Sequence, residues 1–495
     1  MSVPDFLFKV ARMRLNSLMS AYVIWAGLFL ALYILWLVSL TFRSWVSKPG
    51  SLRDYFLAGN DVGFIPSVLT FWATYFSAAA LIGASGYYYI HGIGNFYFAS
   101  LGYFILAGIT GTVGVRLFRL SRAYPEIRSP IQLYLRSFRS PALEMLFLVV
   151  TLLCLVPYMA AQITGFAWLI ESAIGLPYLW TAAGALVIIF LYSESGGLKN
   201  IVRTDVVQSL MTIVGCIGLM VAFLWIYWDF DFGRFLEDVD ALHEPSLLGL
   251  PGPRNFYTPI IIVSLAVLIS AGAVPMAHNA QRYMIVRELK YLKRLVWMFP
   301  FMGIFVTFVA MVLGLGGAVQ FPGLETGDQV IGKVTAAVPA VIGALATIGI
   351  VASTMSTADS ILLSVGFIVS EQKYRDRAQQ DAKSVRSLNR WCTGAVAIFS
   401  FAASIQPGLV TEFAFNAFGG MLQLAPVMFA GVYELRISRQ WAFGSSLLGL
   451  GIVILGNTPI YGQLPIAPVP HYFTGFVLAT VVLLVGWVRG RTQPV

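Results

Sequence analysis

Charge is scarce in this sequence. Only 11% of the 495 residues are Asp, Glu, Lys or Arg, against roughly a quarter in soluble globular domains. Too little polar surface is available to face water on all sides, which excludes an ordinary soluble protein. Cysteine is scarce too. Cys154, Cys216 and Cys392 all fall in apolar runs, without metal-ligand or disulfide spacing, and read as small core residues. Four histidines (His91, His243, His278 and His471) form no HExxH or related pair. No nucleophile stands beside a base within the apolar runs, so the chain is not expected to be an enzyme. A cleavable signal peptide is also missing, because the apolar run that starts near Leu18 is too long for a signal core.

Apolar residues are abundant, at 58%. They form runs of about twenty, each long enough to cross a bilayer. In lipid the backbone must satisfy its own hydrogen bonds, so such runs are helices or a closed barrel. Continuous rather than alternating apolar character selects helices. The expected fold class is therefore all-α, a polytopic membrane protein of about thirteen transmembrane helices. Their expected ranges are 18–42, 64–90, 95–118, 141–171, 178–194, 200–228, 256–276, 292–318, 337–370, 390–406, 409–433, 441–457 and 470–488. Residues 18–495 read as a single transmembrane domain and 1–17 as an N-terminal tail. Within that tail, 4–17 fits a short interfacial amphipathic helix.

The net charge of +9 has a location. Of the 32 Lys and Arg, 26 lie in 43–63, 116–140, 195–203, 277–294, 371–390, 434–440 or the C-terminal tail. The intervening connections hold only Arg234, Arg254 and Lys333. Every second connection is basic, as the positive-inside rule expects of cytoplasmic loops. This puts the C-terminus in the cytoplasm and the N-terminus outside, with the plasma membrane as the expected location, and it accounts for the positive charge without nucleic acid.

Polar atoms are costly in a bilayer, so polar residues inside the runs mark function. In the 337–370 helix, Ser353, Ser356, Thr357 and Ser360 fall at i, i+3, i+4 and i+7, on one face, with Asp359 beside them. Such a stripe suits a hard monovalent cation, which prefers oxygen ligands. Close helix packing, with hydroxyls bonded back one turn, is the competing explanation. Asp205 followed by Gln208 is either a capping box or a buried carboxylate inside the 200–228 helix. The 64–90 helix is dense in small and hydroxyl residues, and Ser270-Ala-Gly-Ala-Val-Pro275 ends the 256–276 helix. Transporters of inverted repeats break the first helix of each repeat at such places. Tyr158 and Gln162 stand one turn apart, and Asn416 and Gln423 share a run. Each faces either a central cavity or a neighbouring helix. Glu412 is expected near the outer end of its helix. The triplet Tyr87-Tyr88-Tyr89 fits an interfacial aromatic belt.

Several segments in order resemble the sodium:solute symporter family, which includes sodium/proline, sodium/glucose and sodium/pantothenate carriers. They are Asp54-Tyr-Phe-Leu-Ala-Gly59, Gly196-Gly197 with Thr204-Asp205-x-x-Gln208, Gln281-Arg282, and Met355-Ser-Thr-Ala-Asp-Ser360. The resemblance implies a five-plus-five inverted repeat, with core repeats at approximately 64–228 and 256–433, one helix before them and two after. It implies a break around Ala73 to Ser77. It further implies a sodium site from backbone carbonyls near Ala73, Phe76 and Ser353 with the hydroxyls of Ser356 and Thr357. A second cation or proton site would involve Asp205, Ser356, Asp359 and Ser360.

For the solute, the resemblance and the inward polar residues together give Tyr75, Ser77, Tyr158, Gln162 and Asn416. Ala73-Thr-Tyr-x-Ser77 looks like the pantothenate branch, and Tyr-x-Ser also like the acetate branch. Proline carriers usually have Asp where Tyr75 stands, and Ser85 replaces a proline common in the family. The implied function is sodium-coupled symport of a small organic solute, with an organic carboxylate favoured, by alternating access. The implied partners are sodium, the solute and the bilayer, with no other cofactor. The alternative is a membrane sensor module of the same fold, which would act with a signalling partner, since this sequence contains no kinase or regulatory domain.

Overall fold

The computed structural model describes residues 21–40, 52–193, 197–242, 246–373, 382–405 and 408–492. The proposed interfacial helix at 4–17 lies outside them. Among the described residues all regular structure is helical, apart from one isolated β-bridge between Val62 and Val286. In chain order the main helices are α1 (Ala21–Leu40), α2 (Phe64–Tyr75), α3 (Ala79–His91), α4 (Gly94–Ala123) and α5 (Pro141–Ile174). Next come α6 (Tyr178–Ser193), α7 (Gly197–Trp228), α8 (Pro259–Ala271), α9 (Ala277–Ile285), α10 (Leu289–Gln320) and α11 (Ala340–Lys373). The last are α12 (Ala382–Ser404), α13 (Val410–Leu422), α14 (Ala425–Val432), α15 (Arg439–Gly456) and α16 (His471–Thr492).

Helix occupies every expected range. Among the described residues seven helices are long and apolar enough to cross a membrane: α1, α4, α5, α7, α10, α11 and α16. Two bent pairs qualify when each is taken together, α2 with α3 at 61° and α13 with α14 at 48°. The other helices are shorter or less apolar.

The boundaries carry information. Helix α7 begins at Gly197, not at 200. Gly197 has a φ of +66°, and a Cβ there would sit 2.5 Å from the carbonyl oxygen of Tyr55, so glycine permits this start. Asp205 is thereby two turns inside the helix, which removes the capping-box reading. The 256–276 run does not end at Pro275. It leaves the helix after Ala271 and resumes as α9 from Ala277.

Helix α11 is the centre of the molecule. It is apolar or small on every side and buried on nearly all of them, as expected of a helix surrounded by others. It packs along α7, α12 and α5. In contrast, α1 exposes Ile24, Leu28, Leu32 and Leu35. The Tyr87-Tyr88-Tyr89 triplet is not an interfacial belt. Tyr87 and Tyr88 are buried, and the Tyr88 hydroxyl pairs with Thr307 Oγ1 at 2.8 Å. Helix α3 packs against α10 there, so that stretch faces protein rather than lipid.

Contacts between connections fall into two groups. Arg122 donates to the carbonyls of Asn60 and Val286, Arg128 pairs with Glu371, Arg136 with Glu434, and Arg287 with Asp61. All join connections that the charge pattern put on one side. On the other side, the amide of Ile93 donates to Leu247 O, Tyr89 donates to Phe321 O, and the amide of Val410 donates to Asp328 Oδ2.

Candidate functional site

The site is built on a helix break. Helix α2 stops at Tyr75, Phe76 leaves helical geometry at φ −103°, ψ 76°, and α3 runs off at 61°. This lies within the expected Ala73–Ser77 stretch. The break is held from α5. Gln162 Oε1 accepts from the amide of Ala78 at 3.2 Å, and its Nε2 donates to Tyr158 O at 3.2 Å. Gln162 thus satisfies an amide that the break would otherwise leave unpaired in a buried setting.

The hydroxyl stripe of α11 faces this break. Ser353 Oγ donates to Phe76 O at 2.5 Å, Ser356 Oγ reaches Ala73 O at 3.2 Å, and Thr357 Oγ1 reaches Ala73 O at 3.0 Å. Ser356 and Thr357 also reach Ser353 O, one turn earlier on their own helix, at 3.0 and 3.3 Å. Both explanations of the stripe are therefore visible in one place. The five expected groups, Ala73, Phe76, Ser353, Ser356 and Thr357, converge from two helices, and all are buried. Carbonyl and hydroxyl oxygens without a carboxylate form a neutral, hard donor set, the chemistry a monovalent cation requires.

Beside the break lies a cavity with about 730 Å³ of empty space, part of it open to solvent. Tyr75, Ser77 and Tyr158 line it, as expected. Gln162 and Asn416 do not. Gln162 is turned to the break. Asn416 is exposed on the opposite face of α13, whose cavity side carries Thr411, Ala414, Phe415 and Phe418 at helical spacing. The cavity lining includes no Asp, Glu, Lys or Arg among the described residues.

The third group surrounds Asp205. Arg282 Nη2 donates to Asp205 Oδ2 at 3.3 Å and to Ser360 Oγ at 2.6 Å, and its Nε donates to Thr74 Oγ1 at 2.8 Å. Thr70 Oγ1 donates to Asp205 Oδ2 at 2.5 Å. Ser360 Oγ in turn lies 2.9 Å from Ser356 O and 3.5 Å from Asp359 Oδ1. Asp205, Arg282 and Asp359 are fully buried. The structure thus brings Asp205, Asp359 and Ser360 together as expected, but around a guanidinium. Arg282 is not the loop cation that the charge pattern made it.

Comparison with known proteins places this arrangement. The sequence profile of the sodium:solute symporter family matches residues 55–449. The chain belongs to the sodium:solute symporter family. It is accordingly an integral membrane protein and a sodium-coupled symporter of a small solute, not an enzyme. The chain is similar to the sodium/pantothenate symporter of Haemophilus influenzae, at 25% identity over 83% of this chain and 85% of that one. It is similar to that of Escherichia coli at 25% identity over 90% and 92%. The sodium/glucose cotransporter of Vibrio parahaemolyticus is 22% identical over 74% and 72%. Among solved structures, a Na+-coupled sialic acid symporter in a substrate-bound outward-open state matches with a TM-score of 0.73 at 14% identity, over 97% and 98% of the two chains. MhsT in complex with L-phenylalanine matches with a TM-score of 0.55 at 13% identity, over 86% and 98%. These structural likenesses show a shared fold.

Within this sodium:solute symporter, several polar side chains of the cavity escaped the sequence reading, Thr307 among them. Asn95, Asn279 and Thr411 line it, and all are buried. Asn95 Nδ2, Asn279 Oδ1 and Thr411 Oγ1 have no hydrogen-bond partner among the described residues. Asn279 Nδ2 donates to Ala273 O at 2.7 Å, inside the break between α8 and α9. Asn95 opens one apolar run, Thr411 another, and Asn279 falls in a connection that reads as basic and cytoplasmic, so only the fold brings them to one cavity.

Proposed function

We propose that this symporter holds its coupling sodium between the break of α2–α3 and the hydroxyl stripe of α11, and its solute in the adjoining cavity. The observation that carries this reading is the approach of Ser353, Ser356 and Thr357 to the Ala73 and Phe76 carbonyls. Binding of sodium there replaces hydrogen bonds that cross between the two helices with oxygen–cation contacts. The cation then joins α2 to α11 and sets the angle of α3, which forms the cavity wall. Ordering one site by filling the other is the thermodynamic basis of coupling.

The solute is a small organic carboxylate in this reading. Support comes from the neutral polar lining, the Tyr75-x-Ser77 sequence and the likeness to sodium/pantothenate symporters. With no ionised side chain in the lining, the carboxylate is balanced by the sodium and by the positive end of the α3 dipole. Tyr75, Ser77, Tyr158, Asn95, Asn279 and Thr411 supply hydrogen bonds to the rest of the molecule.

The same reading makes residues 18–495 one transporter domain of thirteen spans, with inverted repeats at approximately 64–228 and 256–433. The breaks of α2–α3 and α8–α9, at corresponding places, support it. The N-terminus lies outside, the C-terminus in the cytoplasm, and the membrane is the plasma membrane. Around Asp205 we assign the positive charge to Arg282 rather than to a second cation. Uptake of labelled carboxylates and sugars into proteoliposomes, with and without a sodium gradient, tests the function. Sodium-driven uptake of a carboxylate supports the reading, and sodium-driven uptake of a neutral sugar alone refutes the solute class.

A further inference from the structure

A second large crevice lies away from the solute cavity, with about 1170 Å³ of empty space. Its walls come from α4, α8, α14, the turn after α14, and α16. Val113, Val274, Ala430, Leu435, Phe476 and Trp487 represent them. Apart from the indole of Trp487, the one polar side chain among the described lining residues is Thr480, and its hydroxyl is already donated to Phe476 O at 2.7 Å. Nothing in these walls holds water, which needs two or more polar partners. The crevice opens at Phe429 and Leu484, which are 46% and 52% exposed. In a bilayer this mouth meets acyl chains.

Charge collects at one end. Arg436 stands between Leu435 and Ile437, which both line the crevice, and is exposed. Arg116 follows Val113 by one turn of α4, on the same face, and its Nε donates to Val432 O at 3.3 Å. Neither arginine has an ion pair among the described residues. The neighbouring carboxylate, Glu434, is paired with Arg136. Arg489, two residues beyond Trp487, lies 5.3 Å over the Trp441 ring at the same end, where the backbone of Arg436 meets Gly490.

We propose that the crevice binds an anionic phospholipid, with an acyl chain between α4, α14 and α16 and the phosphate between Arg116 and Arg436. The two halves of the site match the two halves of that molecule: a dry apolar slot, and at one end of it two arginines without an ion pair among the described residues. A neutral lipid fits the slot but leaves the arginines unanswered. The site also touches the transport machinery. Val274 belongs to the break between α8 and α9, and Val113 to a π-helical turn whose Thr110 hydroxyl lies 3.2 Å from that of Tyr283. Tyr283 in turn pairs with Tyr75, a wall of the solute cavity, at 2.8 Å.

Trp487 reports on the slot directly. The full chain is placed in phosphatidylcholine vesicles containing either acyl-brominated phosphatidylglycerol or acyl-brominated phosphatidylcholine. The Trp487→Phe variant identifies the part of the fluorescence quenching that belongs to Trp487. Each arginine near a lipid surface favours an anionic lipid by about fivefold, so with two arginines Trp487 quenching is expected at about a 25-fold lower mole fraction of the brominated phosphatidylglycerol. Arg116→Gln with Arg436→Gln should bring the two lipids to the same midpoint while leaving the quenching itself. Equal midpoints in the unmodified protein overturn the proposal, as does a preference that survives the double substitution. Quenching that Trp487→Phe does not alter shows that the slot holds no acyl chain, and this also overturns it.

Discussion

Arg282 holds Asp205 and Ser360 with a single nitrogen, Nη2, at 3.3 and 2.6 Å, in a place with no exposed surface. Breaking a buried pair by removing one partner leaves an uncompensated charge and typically costs about 3–5 kcal/mol. Asp205→Asn is therefore expected to lower the thermal midpoint of the purified protein by several degrees and to abolish uptake. Asp205→Asn with Arg282→Gln removes both charges of this pair, leaves the Asp359 carboxylate, and should recover part of the midpoint without recovering uptake. A single Asp205→Asn variant that melts and transports as the unmodified protein does would show the pair to be dispensable.

The unpartnered cavity groups predict a second separation. Asn279 Oδ1 and Asn95 Nδ2 have no hydrogen-bond partner among the described residues, and in the proposed function the solute completes them. Asn95→Ala should raise the solute concentration for half-maximal uptake by about tenfold, since a hydrogen bond within a buried site is worth about 1–1.5 kcal/mol. The sodium dependence at saturating solute should stay within about twofold. Equal shifts in both dependences would place Asn95 in the coupling path and not in solute recognition.

Sidedness is checked by labelling. In a protein whose three cysteines are replaced, a cysteine at Gln440 should react with a membrane-impermeant maleimide only from the cytoplasm. One at Asp240 should react only from outside. Both positions are exposed, so reactivity reports side and not burial. Reaction of both from one face would overturn the alternation of connections.

What was legible in the sequence follows the physics of each signal. Helix positions were legible because an apolar run of twenty residues has few alternatives in lipid. The hydroxyls of the candidate sodium site stand out as a pattern on α11, but the partners proposed for them on α2 come from family resemblance, since a carbonyl carries no side-chain signature. Arg282 was misjudged because a charge looks the same in sequence in a loop or in a buried pair. Asn416 was misjudged because α13 is apolar on most of its surface, so hydrophobicity does not say which side faces the cavity. Tyr87 and Tyr88 failed for a related reason: aromatic residues serve lipid interfaces and helix contacts alike.

The most direct measurement is the sodium dependence of Thr357→Ala and Thr357→Ser. Thr357 Oγ1 lies 3.0 Å from Ala73 O across the break. Loss of that oxygen should raise the sodium concentration for half-maximal uptake by about tenfold, equivalent to about 1–2 kcal/mol for one ligand. Thr357→Ser retains the oxygen and should stay within about threefold of the unmodified protein. Unchanged sodium dependence in Thr357→Ala, in protein that folds and transports, would mean that the stripe on α11 only packs helices and that sodium binds elsewhere.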